Sequence, residues 1–109
     1  MIRVKVRYQA VSRHVDQAPI DRLMVKGHAG SGDYGHDLVC AAVSALVINF
    51  VNSVEGICGL DLKPSVRSGF MEVVVPSDHD IQLLARSLLF GLMELSKEHG
   101  DFISMPESY

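Results

Sequence analysis

The residues best suited to carry chemistry lie between Gly27 and Ser44, on either side of a glycine-rich segment. A histidine, His28, follows an apolar strand pattern, and a cysteine, Cys40, stands near the start of a long apolar run. A cysteine thiolate is a strong nucleophile, and a neighbouring imidazole can generate it and later protonate the leaving group. Because the intervening glycines allow the chain to fold back, the sequence predicts a Cys–His pair for nucleophilic catalysis.

The position of Cys40 in its predicted helix favours this chemistry. Asp37 stands where an N-cap satisfies the first unpaired backbone N–H groups, so Cys40 is expected to be the third helical residue. The N–H groups and the positive end of the helix dipole favour a thiolate there and offer donors to an oxyanion.

The roles of two neighbouring side chains stay open. Beside Cys40 the carboxylate of Asp37 disfavours the thiolate, whereas as a hydrogen-bond partner of His28 it orients the ring. Ser44 lies one turn beyond Cys40, and its hydroxyl either bonds back to the Cys40 carbonyl or lies near the thiol. We expect both side chains to have supporting roles.

Simpler interpretations also stay open on residue chemistry alone. A cysteine in an apolar helix is more often a packed core residue, and a histidine at a strand end is more often merely exposed. The sharpest competitor is a zinc site in which His28 joins His36 and Cys40, which are four residues apart, with or without Cys58 as a fourth ligand. Paired Cys-x-x-Cys or His-x-x-x-His spacing is absent, and His36 is expected before the helix, so we expect no metal and no other cofactor.

Two strands and a helix are predicted around these residues. Residues Ile2 to Tyr8 and about Arg22 to His28 carry the apolar alternation of half-buried strands. The run from Asp37 to about Val54 is apolar on nearly all sides, which predicts a helix packed on most of its faces.

The second half of the chain repeats the strand-helix order. Residues Phe70 to Val75 predict a third strand, and Ser77 stands as the cap of a second helix. Leucines recur in that helix at three- and four-residue spacing until Gly100 ends it. Residues Phe102 to Met105 predict a short final strand that Pro106 terminates.

These elements predict an α+β fold in one domain, residues 1–109. Their order is strand, strand, helix, strand, helix and a final strand. The first two strands are joined without a helix, so we expect a mostly antiparallel sheet of about four strands with two helices packed on it.

Net charge and hydropathy argue against nucleic-acid and membrane partners. With a formal net charge of -3, the chain lacks the basic balance that nucleic-acid binders need, and Arg3, Lys5 and Arg7 are expected to form a solvated strand face. The apolar run from Leu38 to Val51 is too short to cross a bilayer, so no membrane partner is expected. Two cysteines without a targeting segment indicate a reducing compartment and a cytoplasmic location.

The residues around the predicted pair resemble a known family. Gly27-His28-Ala29, a small-residue loop, and the run from Gly35 to Ser44 (GHDLVCAAVS) resemble the ribosomal-processing cysteine protease family, Prp. The family pattern is G-H-A near a strand end, followed by G-x-D-[IL]-V-C-A-x-[VI]-S at the opening of a helix. The resemblance extends over essentially the whole chain, and His36 falls at a variable position of the motif.

This resemblance implies a cytoplasmic endopeptidase that removes the short N-terminal extension of large-subunit ribosomal protein twenty-seven, a step in ribosome assembly. It implies His28 and Cys40 as the catalytic dyad and a homodimer as the assembly. It also implies that a substrate loop between them rearranges around the bound peptide, comprising Ala29, Gly30, Ser31, Gly32, Asp33, Tyr34 and Gly35.

Two functions of other classes remain alternatives. A non-catalytic adaptor would bind a ribosomal protein through the same groove without needing a reactive thiol. A small-molecule thioesterase or acyltransferase would use the same Cys–His pair on acyl thioesters.

Overall fold

The computed structural model of the protein describes residues 1–9, 18–28 and 34–109, the first four residues of the last range by their backbone alone. The described elements, in chain order, are β1 (Ile2–Tyr8), β2 (Ile20–Lys26), α1 (Tyr34–Cys58), β3 (Ser65–Arg67), β4 (Phe70–Val74), α2 (His79–Glu98) and β5 (Ile103–Glu107).

The strands form one sheet in the order β3-β4-β2-β1-β5. Strands β1 and β2 pair antiparallel, as do β2 with β4 and β4 with β3, whereas β5 runs parallel to β1 at the edge. The predicted α+β class with a mostly antiparallel sheet is confirmed, with five described strands where about four were expected.

A single apolar layer lies between the sheet and the two helices. The alternation of β1 directs Ile2, Val4 and Val6 into this layer, and each is at most 5% exposed. Helix α1 contributes one stripe of buried residues, Val39, Val43, Val47, Phe50 and Val54, and α2 contributes another, Ile81, Ala85, Leu88 and Leu92. These stripes fix how α1, and Cys40 on it, lies against the sheet.

Helix α1 differs from its prediction at both ends. It begins at Tyr34, three residues before Asp37, and continues to Cys58. The stretch Leu38–Cys58 has 21 residues and by length and composition is long and apolar enough to span a membrane, so the expectation of an apolar run that ends at Val51 and is too short for a bilayer is wrong. Only five residues of that stretch are buried, namely Val39, Val43, Val47, Phe50 and Val54, which also corrects the expectation of a helix packed on most sides.

Helix α2 is capped by Asp78 and not by the predicted Ser77. The Asp78 carboxylate accepts hydrogen bonds from the backbone N–H groups of Asp80 (3.0 Å) and Ile81 (3.1 Å). The helix ends at Glu98 with His99 as its C-cap, two residues before Gly100.

The sheet edges also depart from prediction. Strand β3 was not predicted because its three residues are all exposed and carry no alternation. Strand β5 runs through Pro106 to Glu107, so Pro106 does not terminate it. Proline is tolerated there because β5 is an edge strand.

The other face of the sheet carries paired charges. Arg3 lies 3.4 Å from Glu107 and Arg7 lies 2.6 Å from Asp21. These ion pairs neutralise two of the three basic residues on β1 and agree with the predicted solvated strand face.

Candidate active site

His28 lies just beyond the end of β2, on main chain that is held from two sides. The preceding residue, Gly27, donates its N–H to the carbonyl oxygen of Gly69 (2.8 Å). The carbonyl oxygen of His28 accepts a hydrogen bond from the backbone nitrogen of Met1 (2.7 Å). Gly27 has φ +100°, and a Cβ there would collide with the carbonyl oxygen of Met1. Only glycine therefore allows the backbone of Met1 to come this close to the residue before His28.

Cys40 is the seventh residue of α1 and lies in its second turn. The expectation that Asp37 caps the helix and makes Cys40 the third helical residue is therefore wrong. Asp37 and His36 both belong to the first turn. The unpaired N–H groups belong to the first four residues of a helix. The helix start therefore stabilises a thiolate at Cys40 less, and offers fewer oxyanion donors there, than predicted.

His28 and Cys40 line the same cleft, which has a volume of about 310 Å³. Helix α1 forms one wall with a stripe of residues spaced by four: Cys40, Ser44, Ile48 and Asn52. His28 is exposed, Cys40 is half-buried and Ser44 is exposed. The structure thus brings together three of the four side chains for which the sequence predicts catalytic or supporting roles.

The rest of the cleft is formed by the sheet and the β3–β4 hairpin. Ile2 of β1 and Val25 of β2 line the cleft, and the hairpin contributes Val66, Arg67, Phe70 and Met71. Val66 and Ile48 remain 69% and 57% exposed. The lining is therefore largely apolar, with the imidazole of His28 and the thiol of Cys40 among its polar groups.

Sequence reasoning did not identify most of this lining. Ile48 and Asn52 continue the four-residue spacing from Cys40 and Ser44. Residues with this spacing share one face of a helix, so the spacing could have predicted them. The hairpin residues Arg67 and Phe70 flank the Ser-Gly turn, a recognised turn signal, but the approach of this turn to His28 depends on sheet pairing far along the chain.

Part of the predicted site lies outside the described residues. The segment 29–33 of the predicted substrate loop and the side chain of Asp37 are among these, so their roles stay predictions. The last two residues of the predicted loop, Tyr34 and Gly35, belong to the first turn of α1, which corrects the loop boundary.

The four-ligand zinc alternative fails on the position of Cys58. Cys40 and Cys58 lie on the same helix, and eighteen residues at 1.5 Å per residue place them about 27 Å apart. The two cysteines therefore can neither share a metal ion nor form a disulfide with each other. His36 lies within α1, so the expectation that it precedes the helix is wrong. Among the described residues no group of three or more metal-ligating side chains is placed to hold a metal ion.

Comparison with known sequences identifies relatives of the chain. Residues 1–104 match the model of the family described as cysteine protease Prp. The ribosomal processing cysteine protease Prp of Staphylococcus aureus (strain Mu50 / ATCC 700699) is 28% identical over 94 residues, which cover 83% of this chain and 89% of the relative. The protein of the same name from Bacillus subtilis (strain 168) is 29% identical over 101 residues, which cover 85% and 90%.

Solved structures share the fold along the whole chain. SMU.848 from Streptococcus mutans superposes with a TM-score of 0.79 at 29% identity and covers 100% of this chain and 96% of that chain. The S. aureus Prp in complex with a covalently linked product peptide gives a TM-score of 0.78 at 26% identity, with 100% of both chains covered. The same S. aureus protease with a substrate peptide gives 0.76 at 25% identity, again with full coverage of both chains.

The α+β fold of the chain agrees with these structural matches. Because the family model covers residues 1–104, the chain belongs to the cysteine protease Prp family and is a cysteine-type peptidase.

Proposed function

We propose that this protein is an endopeptidase that removes the short N-terminal extension of a ribosomal protein, namely ribosomal protein twenty-seven of the large subunit. The observation that carries the proposal is that His28 and Cys40 line the same cleft. The names of the relatives support a ribosomal substrate, since the S. aureus and B. subtilis proteins are ribosomal processing proteases. The reaction would take place in the cytoplasm, where ribosomes are assembled.

In the proposed mechanism Cys40 is the nucleophile and His28 the general acid and base. His28 takes the proton of the Cys40 thiol, and the Sγ thiolate attacks the carbonyl carbon of the scissile peptide bond. The tetrahedral intermediate collapses, the C–N bond breaks, and the imidazolium of His28 donates its proton to the departing amine. Water, activated by His28, then hydrolyses the thioester and releases the N-terminal extension from Cys40.

The position of Cys40 changes the expected source of the oxyanion donors. Within a regular helix the N–H groups of the second turn donate to carbonyl groups four residues earlier. The main-chain N–H of Cys40 is therefore expected to donate to a carbonyl group within α1. An oxyanion hole made only of helix N–H groups is not supported. Ser44 lines the cleft one turn away, and we propose that its hydroxyl assists there.

The apolar lining suits a peptide with apolar side chains next to the scissile bond. A ribosomal protein is basic as a rule, so the net charge of -3 on this chain favours encounter, and the apolar cleft would then select an apolar stretch next to the scissile bond. Ile48 on α1 and Val66 on β3 both line the cleft with exposed side chains, and we propose that they contact such a stretch. Each would lose contact with water as the peptide binds.

We also propose that the active form is a homodimer. Large apolar side chains are exposed on both helices outside the cleft: Leu38 and Ile57 on α1, and Leu83, Phe90 and Met93 on α2. Several exposed large apolar side chains on two adjacent helices favour an interaction site there. Light scattering coupled to size-exclusion chromatography tests the proposal, and a monomer at assay concentration would contradict it.

The proposed reaction is tested by mass spectrometry of the extended ribosomal protein after incubation with the wild type and with Cys40→Ala. Cys58→Ala is the matched control, because Cys58 lies at the far end of the same helix. One cleavage near the N-terminus, lost in Cys40→Ala and kept in Cys58→Ala, is expected. Binding without cleavage by the folded, reduced wild type would favour the adaptor function, and turnover of acyl thioesters alone would favour the thioesterase.

A further inference from the structure

The turn between β3 and β4 brings Gly69 against the imidazole ring of His28. A Cβ at position 69 would lie 2.5 Å from Nε2 of His28, 2.9 Å from Cε1 and 3.1 Å from Cδ2. Carbon atoms in favourable contact are about 3.5–4.0 Å apart, so a side chain at this position and the observed ring position exclude each other. These three atoms form the outer edge of the ring, so this edge occupies the space that a side chain at position 69 would fill.

The same turn also holds the main chain before His28. The carbonyl oxygen of Gly69 accepts the N–H of Gly27 at 2.8 Å, so the backbone and the ring of the histidine segment both meet this one residue. From the opposite side, the backbone nitrogen of Met1 bonds to the carbonyl oxygen of His28 at 2.7 Å. The backbone on either side of the His28 Cα is thus fixed, and the ring orientation depends on its surroundings.

The turn is itself held in place. Arg67 and Phe70 are paired residues of β3 and β4, and the guanidinium carbon of Arg67 lies 4.0 Å from the centre of the Phe70 ring. Gly69 completes the turn with φ +67°, a conformation that residues with a side chain rarely adopt. Gly69 is therefore a fixed support for the ring of His28.

We propose that Gly69 is a positioning residue that keeps the imidazole of His28 directed into the cleft lined by Cys40. The inference rests on the proposed pairing of His28 with Cys40. With a side chain at position 69, the His28 ring would have to move by about 1 Å to reach a normal contact distance from its Cβ. Misplacement of a reacting group by about 1 Å can lower a rate by about 100-fold.

Gly59 provides a matched control for Gly69. Its φ of +72° is nearly the same, but a Cβ at position 59 would meet no atom within 4 Å. It follows the last residue of α1, where its N–H donates to the carbonyl oxygen of Glu55 (3.1 Å), and it does not line the cleft. Gly59→Ala and Gly69→Ala therefore impose the same kind of backbone strain, and only Gly69→Ala also meets the His28 ring.

The test compares the two alanine variants in peptide cleavage and in the NMR signals of the His28 ring. In Gly69→Ala we expect kcat to fall by about 100-fold, the pH profile of kcat/KM to shift and the His28 ring signals to move. In Gly59→Ala we expect kcat within about twofold of wild type, with the profile and the signals unchanged. Equal kcat values and equal His28 signals in the two variants would overturn the positioning role.

Asparagine variants replace the alanine variants in the test if an alanine variant fails to fold. Asparagine tolerates positive φ better than alanine, and its Cβ would meet the ring in the same way, so Gly69→Asn against Gly59→Asn repeats the comparison with less strain. A His28→Ala variant separates the two proposals. Its normal turnover would contradict the Cys–His pair itself, whereas an inactive His28→Ala beside a fully active Gly69 variant would contradict only the role of Gly69.

Discussion

His28 and Cys40 line one cleft although they belong to different kinds of element, His28 following a strand and Cys40 lying in the second turn of a helix. The buried stripe of α1 fixes the helix on the sheet, and the hydrogen bonds of Gly27 and Met1 fix the end of β2. The relative position of the two side chains is thus set by packing and by main-chain hydrogen bonds. Local changes at either place can be tested separately.

Replacing His28 should abolish most of the activity without unfolding the protein. His28 is exposed, so His28→Ala removes little packing, and loss of a general acid and base lowers kcat by about 10²–10⁴-fold. His79→Ala is the control, because its side chain is 92% exposed at the start of α2, away from the cleft. Steady-state cleavage assays with circular dichroism on both variants check this, and a fully active His28→Ala would rule out its proposed role.

A charge on the β3 wall of the cleft should weaken binding of an apolar peptide. Val66 is 69% exposed and lines the cleft, so contact with substrate would bury it, which is worth about 1.5–3 kcal/mol for a full side chain. Val66→Asp should raise KM by about tenfold or more. Val74→Asp serves as control, since Val74 is 53% exposed on β4 and does not line the cleft. Equal KM values for the two variants would show that Val66 does not contact the substrate.

The two adjacent residues before α2 should differ in their effect on stability. Asp78→Ala removes the acceptor for two backbone N–H groups and should cost about 1 kcal/mol of the free energy of unfolding, or about 4 °C in Tm. Ser77→Ala should leave Tm unchanged. Thermal denaturation followed by circular dichroism distinguishes them, and a larger loss for Ser77→Ala would restore Ser77 as the cap.

Tyr109 should make the folded state sensitive to alkaline pH. Partial burial and a hydrogen bond from its hydroxyl to Glu72 (3.0 Å) raise the pKa of Tyr109 above its ordinary value of 10.0. The folded state thus holds the phenol proton more tightly than the unfolded state, and the associated stability is present below pH 10 and lost as the pH rises above it.

Urea unfolding at several alkaline pH values measures that loss, and Tyr109→Phe should reduce its slope above the ordinary pKa of tyrosine. Tyr8→Phe is the control. Tyr8 is also about half exposed, and its replacement leaves the hydrogen bond from the Tyr109 hydroxyl to Glu72 intact. The same slope in wild type and Tyr109→Phe would contradict the shifted pKa.

Strong local patterns predicted the fold well, and weak ones did not. The seven alternating residues of β1 predicted that strand with its observed bounds, because both the period and its ends are visible. Strand β3 has three residues and none of them buried, so no periodicity marks it. The start of α1 was placed at Asp37 because aspartate suits a cap, whereas no apolar periodicity marks the turn that begins at Tyr34.

The same distinction applies to the cleft. Residue chemistry and the motif led to His28 and Cys40, since an imidazole and a thiol are rare and reactive groups. The contribution of Gly69 could not be predicted from residues near it, because it depends on β2 and β4 pairing so that Lys26 lies opposite Phe70. Register between distant strands is decided by the whole sheet and not by a local sequence pattern.

The central claim is that peptide cleavage passes through a thioester on Cys40, and intact-mass analysis of acid-quenched reactions tests it most directly. With the extended ribosomal protein as substrate, we expect an enzyme species heavier by the mass of the N-terminal extension less one water, and peptide mapping should place the addition on Cys40. Cys58 should carry none. Cleavage without any such species in rapidly quenched reactions, or undiminished cleavage by Cys40→Ala, would contradict the account.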